Sequence, residues 1–143
     1  LVLLLLALGL AAGLREWRPA GMGWSGALPG PGEITWAQAR ELGRTRPILW
    51  ADARPAAAFA VAHVPGAVNL NENQWEDGFG QLMLRWTPDK PVVVYCDDDA
   101  CNASRAVAAR LRDHAGLPEV YVLLGGWAEA RAELEKESGK ANP

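Results

Sequence analysis

The stretch PVVVYCDDDACNASRAVAARL, Pro91 to Leu111, joins an apolar run to a cysteine, three aspartates, a second cysteine and a segment of helical texture. The run from Val92 to Tyr95 is continuous, valine-rich and too short for a helix, so it predicts a strand buried on both faces. In the segment that opens at Ala103, Val107 and Leu111 share one helical face with Ala108 beside them, and the arginines lie mostly elsewhere. A buried strand that passes through a loop into an amphipathic helix is half of a βα unit, and that reading organises the rest of the chain.

Outward from this unit the same alternation continues. Thr35 followed by Gln38 is a capping-box pattern that opens a short helix ending at Gly43. PILWADAR (47–54) reads as a buried strand, and PAAAFAVAH (55–63) as a short helix with Pro55 at its start. GAVNL (66–70) is a short strand, and a helix is expected from Glu72 to Trp86 with Gly78 and Gly80 weakening its middle. EVYVLLGG (119–126) is the last strand, followed by a helix from Trp127 to Glu137 and a frayed tail over 138–143. The fold class is therefore α/β, with a mainly parallel central sheet covered by helices on both faces. Ligands in such folds bind beyond the carboxyl ends of the strands, where this chain places Asp52, Cys96 and Gly125.

The 143 residues suffice for one domain with a hydrophobic core, assigned to 33–137. A net charge of −3 argues against nucleic acid as a partner. Two cysteines are too few for a disulfide scaffold or a zinc site, and no metal or other cofactor is called for. Residues 1–14, LVLLLLALGLAAGL, carry no charge and read as the end of an apolar membrane anchor, with a signal-peptide core as the alternative, preceding a Gly/Pro-rich linker over 15–32. Arg15 and Arg18 favour a cytoplasmic domain on their own, but the absence of an initiating Met leaves room for stronger upstream charge, and an extracytoplasmic domain is the expectation.

DARPAAAFAVAHVPGAVNL, VVVYC followed by SRAVAARL, and VYVLLGGW occur in this order, and together they resemble the rhodanese-like family of single-domain sulfurtransferases from Ile34 to Leu134. The resemblance implies a cysteine that carries sulfane sulfur as a persulfide, at the position of Cys96. It also implies an active-site loop of Asp97, Asp98, Asp99, Ala100, Asn102, Ala103, Ser104 and Arg105, with a small sulfur donor and a thiol acceptor as partners. Three departures stand out: Ala62 where the family has Gly before its His63, Arg131 where an aromatic residue is common, and a longer, acidic loop with no Lys or Arg before Arg105.

The residues themselves support a nucleophile. A thiolate at a helix amino terminus, within a loop whose amides point inward, is stabilised by partial positive charge. The three aspartates oppose it, raising the thiol pKa and disfavouring anionic donors. Cys101 is a candidate resolving thiol, because a curved loop can bring two such positions within the roughly 4.4 to 6.8 Å between Cα atoms that a disulfide requires. Filling space in the longer loop is the alternative for Cys101. Asp52 and Arg54 read as a structural ion pair, His63 as a hydrogen-bonded turn residue, and Gly125 and Gly126 as support for the last crossover. Two other functions compete: a catalytically inactive rhodanese-fold binding module and, more distantly, a phosphatase or arsenate reductase, whose dianionic substrates the aspartates repel.

Overall fold

Along the chain, β1 (Glu33–Ile34) leads into α1 (Trp36–Thr45), β2 (Leu49–Asp52), α2 (Ala56–Val61) and β3 (Val68–Asn69). A single 3₁₀ turn (Glu72–Gln74) then precedes α3 (Trp75–Met83), β4 (Val92–Tyr95), α4 (Ala103–Asp113), β5 (Val120–Leu123) and α5 (Gly126–Lys140). This computed structural model describes residues 29–140. The hydrophobic segment over 1–14, most of the linker and residues 141–143 lie outside that range. Among the described residues no helix is long and apolar enough to cross a membrane.

Among the described residues the five strands of the sheet are all parallel, in the order β1-β5-β4-β2-β3, so β4 is central. Its side chains alternate between two cores, as the two-residue period of a strand requires. Val92 and Val94 pack with Leu82, Val107 and Leu111 under α3 and α4. Val93 and Tyr95 pack on the opposite face with Trp36, Val64 and Ala130, under α1 and α5. Burial on both faces explains why this strand has no polar alternation.

Local chemistry sets the element ends. Thr35 Oγ1 accepts from the Gln38 amide at 3.2 Å, and Gln38 Oε1 accepts from the Thr35 amide at 2.9 Å, completing the capping box. The helix does not stop at Gly43 but runs to Thr45, because the terminator is Pro47: Arg46 before it is extended, as a residue preceding proline prefers. The expected helix over 72–86 instead begins as a 3₁₀ turn capped by Asn71 and ends its α portion at Met83. At the other end of the domain, α5 continues through residues expected to fray, and Arg40 on α1 binds Glu137 at 3.0 Å. β1 went unrecognised in the sequence because two residues carry no periodicity; it forms by pairing with β5, Ile34 opposite Leu123.

Gly78 in α3 has a packing cause. A Cβ there would lie 2.5 Å from the Asn69 carbonyl oxygen and 3.1 Å from Leu70, so only glycine lets the helix approach β3 this closely. Gly80, two positions on but exposed, has open space around it. Gly78→Ala is expected to destabilise the domain by about 2 kcal/mol through overpacking. Gly80→Ala should stabilise it by about 0.5 to 1 kcal/mol by relieving backbone entropy. Urea denaturation of the two variants checks both signs, and equal responses would contradict the close approach at Gly78.

Candidate active site

Cys96 follows the central strand directly and is 3% exposed. Its carbonyl accepts from the Trp127 amide at 2.6 Å, and the Asp97 carbonyl accepts from the Ala128 amide at 3.1 Å. Both donors belong to the first turn of α5, whose free N–H groups thus hold the start of the cysteine loop. Gly126 makes the contact possible. It has φ +54°, and a Cβ on it would lie 2.6 Å from the Cys96 oxygen and 2.9 Å from the Asp98 nitrogen.

The loop closes on itself through a Cys96–Cys101 disulfide, with Cα atoms 6.1 Å apart. The amides of Ala100 and Cys101 are spent on Asp98, the first on its carboxylate at 2.9 Å and the second on its carbonyl at 3.2 Å. In this oxidised state those two N–H groups therefore do not cradle a sulfur. Asn102 starts α4 without a side-chain cap, Ala103 is half-buried and Ser104 is buried in the first turn.

The three aspartates do different things. Asp97 places Oδ1 3.9 Å from Arg54 Nη1. Asp98 forms the turn just described, and Asp99 Oδ1 accepts from the Gly125 amide at 2.6 Å. Arg105 is engaged by other partners: Nη1 donates to the Asp99 carbonyl at 3.3 Å and Nη2 to Glu33 Oε1 at 2.9 Å. The Gly30 amide and Arg105 together hold the Glu33 carboxyl below its ordinary range.

Beneath the loop lies a buried network. Arg54 donates through Nε and Nη2 to both oxygens of Asp52, at 3.0 and 2.7 Å, and through Nη2 to the Ala62 carbonyl at 2.7 Å. Its guanidinium lies 4.6 Å from the centre of the Trp127 ring and 5.7 Å from that of Tyr95. Burial works against the charge on Arg54, but the hydrogen bonds and charge of Asp52 outweigh it and raise the pKa. Asp52 stands opposite Tyr95 in the sheet register. Burial pushes the Tyr95 phenol well above its usual pKa, with Asp52 adding to the effect, so the hydroxyl stays neutral and accepts from the Val64 amide at 3.0 Å. His63 is held beside this network, Nδ1 against the Phe59 carbonyl at 2.8 Å and its ring stacked on Phe59.

The Rhodanese-like domain family matches residues 35–133, a span that contains the Asp52–Arg54 pair, the cysteine loop and the Gly125–Trp127 turn. This chain belongs to the rhodanese-like family. It is 30% identical over 110 residues to the thiosulfate sulfurtransferase GlpE of Coxiella burnetii, covering 77% of this chain and 96% of that one. Among solved structures, the BH2092 protein from Bacillus halodurans is similar with a TM-score of 0.58 and 26% identity, over 71% of this chain and 72% of that one. A Lactobacillus plantarum protein shares the fold at a TM-score of 0.55 and 20% identity, over 73% of this chain and 85% of that one.

Within this rhodanese-like domain, sequence reasoning missed Tyr95, Glu33 and the amides of Trp127 and Ala128 as parts of the site. The Gly-Gly-Trp run was the available signal for the amides, since a glycine pair before a helix marks a close backbone approach. Gly126→Ala is expected to cost about 2 kcal/mol or more in stability, from positive φ and overpacking combined. It should also alter the alkylation rate of reduced Cys96. Denaturation and thiol trapping measure the two effects, and a variant normal in both would show that the loop is not held by α5.

Proposed function

We propose that Cys96, once reduced, accepts sulfane sulfur and passes it to a thiol. The observation that carries this reading is the position of Cys96, at the carboxyl end of the central parallel strand and at the entrance to α4, with a second cysteine in covalent reach. Family membership and the similarity to a thiosulfate sulfurtransferase support a sulfurtransferase-type function. With thiosulfate as donor, the Cys96 thiolate attacks the outer sulfur, the sulfur–sulfur bond breaks, sulfite leaves with its electron pair, and a persulfide remains on Cys96. An external thiolate then takes the outer sulfur and restores the Cys96 thiolate.

Cys101 offers a second exit. Its thiolate attacks the inner sulfur of the persulfide, hydrosulfide leaves, and the Cys96–Cys101 disulfide forms. That disulfide returns to two thiols by exchange with an external dithiol, which is oxidised by two electrons. Sulfur transfer therefore starts only from the reduced loop. Cys96→Ser is expected to abolish sulfur transfer, while Cys101→Ser should retain loading but accumulate persulfide instead of releasing hydrosulfide. Mass spectrometry of the reduced proteins after exposure to thiosulfate or polysulfide reads the gain of one sulfur. No adduct from any donor would favour the binding-module reading.

The uncharged segment over 1–14 is proposed to hold the domain at a membrane, on the extracytoplasmic side where a disulfide persists. Full-length protein should require detergent for extraction, and the domain should be digested by protease added to intact cells. Recovery in the soluble fraction without detergent would refute the anchor.

A further inference from the structure

The loop has no Lys or Arg before Arg105, and Arg105 is committed to Glu33 and to the Asp99 carbonyl. A cation nevertheless faces it from below. Arg54 spends Nε and Nη2 on Asp52 and Ala62, whereas Nη1 makes no hydrogen bond among the described residues and stands 3.9 Å from Asp97 Oδ1. The two partners are unequal. The Arg54 side chain is 4% exposed and pinned by Asp52, Trp127 and Tyr95; that of Asp97 is 63% exposed, and its contact is too long for a hydrogen bond. An exposed carboxylate at that distance is held weakly and is readily displaced.

The geometry points to Arg54 Nη1 as the anion-holding group of the Cys96 site, and to Asp97 as the specificity-determining residue that competes for it. An oxyanion entering beside Cys96 meets a guanidinium already oriented, whose planar donors suit sulfonate-type oxygens. To reach it, the anion displaces the Asp97 carboxylate. Asp97 thereby selects against donors such as thiosulfate and in favour of sulfur carriers that bring no second charge. The assignment of a sulfur donor rests on the function proposed above; the competition between an anion and Asp97 rests on geometry alone. Asp98 and Asp99 serve as internal controls, because their carboxylates face the Ala100 and Gly125 amides instead of Arg54.

The test uses the full chain carrying Cys101→Ser, in which Cys96 is the only thiol. Cys96 is alkylated with iodoacetate, an anion, and with iodoacetamide, its neutral analogue, and the ratio of the two rates is compared among variants. Asp97→Asn is expected to raise the ratio about tenfold, while Asp98→Asn and Asp99→Asn each raise it less than about threefold as general charge removal. Equal rises in all three variants, or none in Asp97→Asn, would overturn the inference. Arg54→Lys added to Asp97→Asn should remove most of the gain, and retention of the gain in a folded double variant would equally overturn it. Because Arg54 is buried, the comparison of the three exposed aspartates decides the matter even where that double variant does not fold. Failure of the sulfur-carrier reading shows separately, as absence of any sulfur adduct on Cys96, and leaves the alkylation ratios untouched.

Discussion

A guanidinium in the interior must have its charge and its donors answered, and here Asp52 answers Arg54. Removing one partner of such a pair generally costs about 3 to 5 kcal/mol, because the other is left as an uncompensated buried charge. The pair also fastens distant parts of the chain. Through Ala62 it closes the end of α2, through Tyr95 it meets the central strand, and through Trp127 it reaches the helix whose amides grip the cysteine loop. The residues on either side of Cys96, Tyr95 and Asp97, both face this one side chain.

The second constraint is the approach of α5 to the loop. Helix amino termini leave N–H groups without partners, and the carbonyls of Cys96 and Asp97 supply acceptors. Gly126 is required at that spot because the backbones meet where a side chain would begin. With both carbonyls held, Cys96 is aimed by the last crossover as well as by its own strand. Asp99 adds a third tie, to the Gly125 amide.

The acidic loop takes on a different meaning once its carboxylates are separated. As a block of three charges it merely opposes a thiolate. In the folded chain one carboxylate shapes the turn, one ties the loop to the last strand's exit, and one stands over a buried cation. The disulfide fits the same picture: the longer loop returns Cys101 to the side of Cys96, and oxidation closes it.

Much of this was legible in the chain. The valine run from Val92, the capping box at Thr35 and the helical face of Val107 and Leu111 are local patterns, and local patterns report strand, helix and cap without reference to partners. They determined the α/β alternation and placed Cys96 at a strand end. The residue before Pro47 could also have set the end of α1, since that restriction is local. What the tertiary structure alone decided is everything that depends on a neighbour far along the chain. β1 exists because β5 accepts it, Gly78 is glycine because Asn69 lies 2.5 Å from where a Cβ would be, and Asp97 differs from Asp98 and Asp99 because only it faces Arg54. Three identical residues in a row carry one local signal; their separate roles arise from which distant donor each meets, and that is a property of the fold.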